Sequence, residues 1–99
     1  MRLSPQDRQA IVQATADIAG RDARVLLFGS RTDDSLRGGD IDLLVELPGP
    51  VQRPAWLAAR IEAALVRALG DRKIDVLLSA PNLADAPVHR AARTHGVAL

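Results

Sequence analysis

The sequence predicts an α/β chain of the α+β kind, a small mixed sheet of three to four strands with helices packed on it. Three observations predict it. Short apolar runs rich in strand formers recur at Val25 to Phe28, Ile41 to Val45 and Ile74 to Leu78. Between the second and third runs, Leu57, Ile61, Leu65 and Leu69 recur every fourth residue, the spacing of one helix face. Gly20, the Pro48-Gly49-Pro50 stretch and Gly70 punctuate the chain between these patterns.

Taken in order, Ser4-Pro5-Gln6-Asp7 reads as a helix start. Ser4 is the N-cap, Pro5 opens the first turn and Asp7 sits near the positive end of the dipole. Ile11, Ala14, Thr15 and Ile18 follow at helical spacing, and Gly20 is placed to end the element. A turn at 21–23 leads into a strand over 24–28. A second strand begins near Asp40 and runs to about Leu47. Pro54 opens a second helix, with Trp56 at its start expected in the core, or as a partner anchor, and Gly70 at its end. The third strand covers 73–78, and a last short helix runs from about Ala86 to His95. A helix joining the second and third strands predicts that those two are parallel, linked by a right-handed crossover. His89 and His95, on different faces of an exposed last helix that also carries Arg90 and Arg93, are expected at the surface and not as ligands of the acidic site. Glu46 is expected at the surface, with at most an outer role at the acidic site.

The chain's 99 residues fit one domain, 1–99, with a core of Leu, Ile, Val and Ala, since Phe28 and Trp56 are its aromatic residues. With 13 basic and 12 acidic residues the charge is balanced, and no aromatic platform is visible, so direct nucleic-acid binding is not expected. All the basic residues but Lys73 are arginine, which suits bidentate phosphate and carboxylate contacts. The lack of cysteine excludes disulfides, zinc thiolates and thiol catalysis. No charged-then-apolar leader and no apolar run of membrane length is present, so no membrane association and a cytoplasmic location are expected.

The chemistry concentrates in two stretches. Phe28-Gly29-Ser30 ends the first strand with a glycine that lets backbone approach a ligand and a serine that can cap a helix turn or help bind a phosphate. Asp40-Ile41-Asp42-Leu43 then alternates, which puts both carboxylates on one sheet face and both apolar side chains on the other. Like charges held together favour a cation between them, and paired hard oxygens suit Mg²⁺. If the third strand lies beside the second, Asp75 joins the same face. Three carboxylates beside a glycine-serine turn fit metal-assisted phosphoryl or nucleotidyl transfer with two divalent ions. A plainer reading, a solvated strand edge, fits Asp40 and Asp42 taken alone. Arg31 could steady a triphosphate, whereas Asp33 and Asp34 would oppose one unless they point away.

The pattern resembles the minimal nucleotidyltransferases of the DNA polymerase beta superfamily. That signature is an apolar residue and Gly-Ser, a spacer, Asp-apolar-Asp-apolar, and a third carboxylate on a later strand. Here these are Phe28, Gly29, Ser30, then Asp40, Ile41, Asp42, Leu43, and Asp75. The stretch 29–43 and the tail from Pro87 to Leu99 look like one bacterial subgroup. The resemblance implies a polymerase beta-like nucleotidyltransferase fold and an enzyme that moves a nucleoside monophosphate, AMP from ATP, onto an acceptor hydroxyl. It implies Asp40, Asp42 and Asp75 as the catalytic and metal-binding residues for two Mg²⁺ ions, with Asp75 also the general base. Gly29, Ser30 and Arg31 would bind the nucleoside triphosphate. It further implies a helical HEPN-type toxin as partner, with this chain as its antitoxin. The alternative is a non-catalytic binding module that neutralises a partner through its surface.

Overall fold

A computed structural model of the chain describes residues 3–29, 41–70 and 72–99. The elements are α1 (Pro5–Ala19), β1 (Arg24–Phe28), β2 (Ile41–Glu46), α2 (Pro54–Leu69), β3 (Ile74–Ser79), α3 (Pro87–His95) and β4 (Val97–Ala98). Ser4 caps α1 as its sequence predicts, its Oγ accepting from Asp7 N at 3.0 Å, a contact that contributes about 1 kcal/mol.

The strands form one mixed sheet in the order β3-β2-β1-β4. β1 runs antiparallel to β2, with Phe28 opposite Asp42, and β2 runs parallel to β3, as the intervening helix requires. β4 pairs antiparallel with β1 through Leu26–Ala98 and Leu27–Val97, and Leu99 N donates to Val25 O at 2.9 Å. Val97 and Ala98 carry no strand signal of their own in the sequence. Two residues are too short to show a period.

Alternation along the strands divides the core in two. Val25, Leu27, Ile41, Leu43, Val45, Ile74 and Leu78 pack with Ile11 of α1 and with Ile61 and Leu65 of α2. Ile61 and Leu65 are fully buried, and Leu57 and Leu69 pack at the margin, so the predicted helix row is the face laid on the sheet. Each such buried side chain is worth about 1.5–3 kcal/mol. The opposite face is covered by α3, where Ala92 packs on Leu26 and Leu44 with Phe28 and Leu77 beside them. Leu43 and Leu44 are both fully buried because β2 is central and covered on both faces.

Two expectations, for Trp56 and His89, are corrected. Trp56 is not core: it is 48% exposed on the outer face of α2, with the guanidinium groups of Arg53 and Arg60 each 4.9 Å from its ring centroid. His89 is not a surface residue. It is buried, its Nδ1 accepts from Ala86 N at 3.0 Å, and its Nε2 lies 3.0 Å from Leu78 O. An Nδ1 that accepts leaves the proton on Nε2, so the ring is the neutral tautomer that donates to Leu78 O. Glu46 lies at the far end of β2 from Asp42 and is partly buried, accepting from Arg93 Nε at 3.0 Å. It therefore braces α3 against the sheet at the end of β2 away from Asp42. His95 is exposed, as expected.

Candidate active site

The sheet brings two of the three predicted carboxylates into register. Asp42 is the second residue of β2 and Asp75 the second residue of β3, and in the parallel pairing they stand side by side. Phe28, the last residue of β1, faces Asp42 from the other side. Phe28, Asp42 and Asp75 thus form one row across three strands, on the sheet face that carries Leu26, Leu44 and Leu77. Asp75 is exposed and Asp42 half-buried. With neighbouring strands about 4.8 Å apart, both carboxylates can reach one hard cation at about 2.1 Å per oxygen.

Gly29 follows directly, with φ of +76°. A β-carbon built on Gly29 would collide with Asp42 Oδ2 and stand 3.2 Å from Asp42 Cγ. Both the left-handed backbone and the close approach require glycine here, so the Asp42 carboxylate lies against the turn where β1 ends. The group that makes this close approach is a carboxylate of the chain itself. Ser30, Arg31 and Asp40, the other predicted site residues, lie outside the described residues, as do Asp33 and Asp34.

A residue that sequence reasoning passed over supports the row. Glu62 of α2 accepts from Val76 N at 3.1 Å. β3 is an edge strand, and this bond satisfies an outward N–H directly beside Asp75. Its signal in the sequence is a lone carboxylate in the apolar stretch of α2, next to the buried row.

The donor set fits Mg²⁺. Two adjacent carboxylate side chains on one face offer hard oxygens, and their mutual repulsion is relieved by a divalent cation. Among the described residues no three His, Cys, Asp or Glu side chains cluster.

The fold thus sets two acids in register across parallel strands, with a glycine turn beside them. A family model described as nucleotidyltransferase domain matches residues 9–89, from α1 to the start of α3. The chain belongs to that family, within the polymerase beta-like superfamily, and is a nucleotidyltransferase. No curated protein and no solved structure gives a significant match. Among the described residues no helix is long and apolar enough to cross a membrane.

Proposed function

We propose that the chain transfers AMP from ATP to a hydroxyl on a protein acceptor, and that it acts as the minimal, antitoxin-like member of a pair with a HEPN-type helical toxin. The observation that carries the chemistry is the register pairing of Asp42 with Asp75 beside Gly29. The family match supports nucleotidyl transfer, and the resemblance in 28–43 and 87–99 supports the finer assignment.

In this reading Asp40, Asp42 and Asp75 hold two Mg²⁺ ions. Bound there, the ions supply positive charge to the triphosphate and acidify the acceptor hydroxyl. Asp75, exposed on the edge strand, accepts the proton of that hydroxyl as its oxygen attacks the α-phosphorus. The new bond joins acceptor oxygen to phosphorus, the bond from phosphorus to the bridging oxygen breaks, and pyrophosphate leaves with the electron pair. Gly29 and Ser30 would hold the β and γ phosphates, and Arg31 would steady them. Phe28, packed against the Leu26–Leu44 cluster, stands opposite Asp42 on the same sheet face.

The test is calorimetric titration of the protein with ATP, with and without MgCl₂, repeated on Asp42→Asn/Asp75→Asn and on Asp40→Asn. Binding that needs Mg²⁺ and disappears in the variants supports the site, and ATP binding indifferent to both sinks it. A second reading, a module that neutralises its partner by contact alone, is favoured by the exposure of Trp56. It predicts that the Asp→Asn variants still neutralise the partner.

A further inference from the structure

On the side of the molecule away from Asp42 and Asp75, the outer face of α2 carries a second pattern. Trp56, Ala59, Ala63 and Val66 follow one another at intervals of three, four and three residues, the a and d positions of a heptad seam. All four are exposed, Trp56 at 48% and Val66 at 44%. Arg53, Arg60 and Arg67 recur every seventh residue along one edge of that seam, and all three are exposed. The face bears no carboxylate at its centre, because Glu62, at its other margin, is turned to Val76 N.

We infer that this face is a docking strip for an acidic amphipathic helix of a partner protein, packed on the α2 seam with its carboxylates against Arg53, Arg60 and Arg67. The strip from Arg53 to Arg67 is about 21 Å long at 1.5 Å per residue, enough for about four turns of a facing helix. Ala59 and Ala63 allow the two axes to approach closely, and Trp56 and Val66 supply the larger knobs at the ends. A groove of about 300 Å³ lined by Val51, Gln52, Arg53, Trp56 and Leu57 continues the apolar surface past the start of the helix. An extended strand finds no free backbone N–H or C=O on a helix surface, so a helix is the element that fits.

Charge selects the occupant. In a coiled-coil contact the residues flanking the seam decide the partner, and three arginines on one edge call for acids opposite. A second copy packed antiparallel would set arginine against arginine, and packed parallel it would need Glu62, which holds β3. A nucleic acid would have to displace the guanidinium groups stacked on the one indole ring. The strip is independent of whether the partner is also the acceptor of nucleotidyl transfer.

Trp56 is the one tryptophan of a chain without tyrosine, so its emission reports this face. The probes are two synthetic peptides of about three heptads with Leu at a and d, one with Glu and one with Lys at every e and g position. The Glu peptide is expected to shift Trp56 emission saturably, and the Lys peptide to bind at least about tenfold more weakly. Arg53→Glu/Arg60→Glu/Arg67→Glu, with unchanged far-UV circular dichroism, is expected to reverse that preference. Equal affinities, no saturable change, or a preference that the variant leaves as it was overturns the proposal. Tighter binding of oligo(dT) than of the Glu peptide, or a dimer of the protein alone that the variant dissolves, overturns it in favour of a nucleic acid or a second copy.

Discussion

The carboxylate of Asp42 lies against the backbone of Gly29, with Asp42 Cγ 3.2 Å and Asp42 Cβ 3.4 Å from where a β-carbon at position 29 would stand. The end of β1 and the start of β2 are therefore fitted to each other at the one place where the predicted acidic site begins. Gly29→Ala is expected to cost about 1–2 kcal/mol from its left-handed backbone alone. It is also expected to push Asp42 out of line with Asp75 and to abolish any Mg²⁺-dependent rise in melting temperature. Gly49→Ala, which has open space around it, serves as the control and is expected to leave both stability and Mg²⁺ response unchanged. An Mg²⁺ response intact in Gly29→Ala contradicts this fit.

Asp75 stands beside Asp42 with like charge, on an exposed edge position. At this exposed position Asp75→Asn without metal is expected to stay within about 0.5 kcal/mol of the wild type. With Mg²⁺ present the wild type is expected to become the more stable of the two, because an ion held by both carboxylates would stabilise only the protein that binds it. Thermal melts of both proteins across a Mg²⁺ series check this. A fall in stability of Asp75→Asn without metal would give the carboxylate a purely structural role.

His89 accepts from Ala86 N and donates to Leu78 O from a buried position, joining the start of α3 to the edge strand. His89→Leu keeps the bulk and strands both backbone partners. It is expected to lose about 1–3 kcal/mol in urea unfolding, whereas His95→Leu, on the exposed side, stays within about 0.5 kcal/mol of wild type.

Arg93 grips Asp85 with two hydrogen bonds, Nη2 to Oδ1 at 2.7 Å and Nη1 to Oδ2 at 3.2 Å, and also reaches Glu46 and Ser79. That hydrogen bonding, and the charge of Arg93 with it, holds the Asp85 carboxyl below the ordinary carboxylate range, while Arg93 is held further above its own usual value. A carboxyl whose folded pKa is depressed stabilises the fold above its unfolded value and loses that contribution as pH falls through the folded one. The melting-temperature difference between wild type and Asp85→Asn is thus expected to be constant at neutral pH and to shrink below about pH 4. A difference that persists unchanged into stronger acid contradicts the pairing.

The sequence by itself determined the elements whose signals are local. Ser4, Pro5 and Asp7 mark the start of α1 because cap and dipole act within one turn, and the Leu57-Ile61-Leu65-Leu69 row marks the buried face of α2 because its period is intrinsic to a helix. The alternation along Ile41-Asp42-Leu43 likewise put Asp42 on the face opposite its apolar neighbours, since alternation along a strand is fixed by its pleat. Tertiary structure alone decided what depends on how elements meet. The register that sets Asp42 beside Asp75 follows from how β3 pairs with β2, and one residue of slip would put Asp75 on the other face. Trp56 and His89 exchanged their expected places for the same reason. Burial depends on which side of a helix finds a neighbour: the sheet took the leucine row of α2 and left Trp56 outside, while α3 turned His89 onto Leu78. The two residues of β4 gained their conformation from pairing with β1, a long-range bond that no window of local sequence contains.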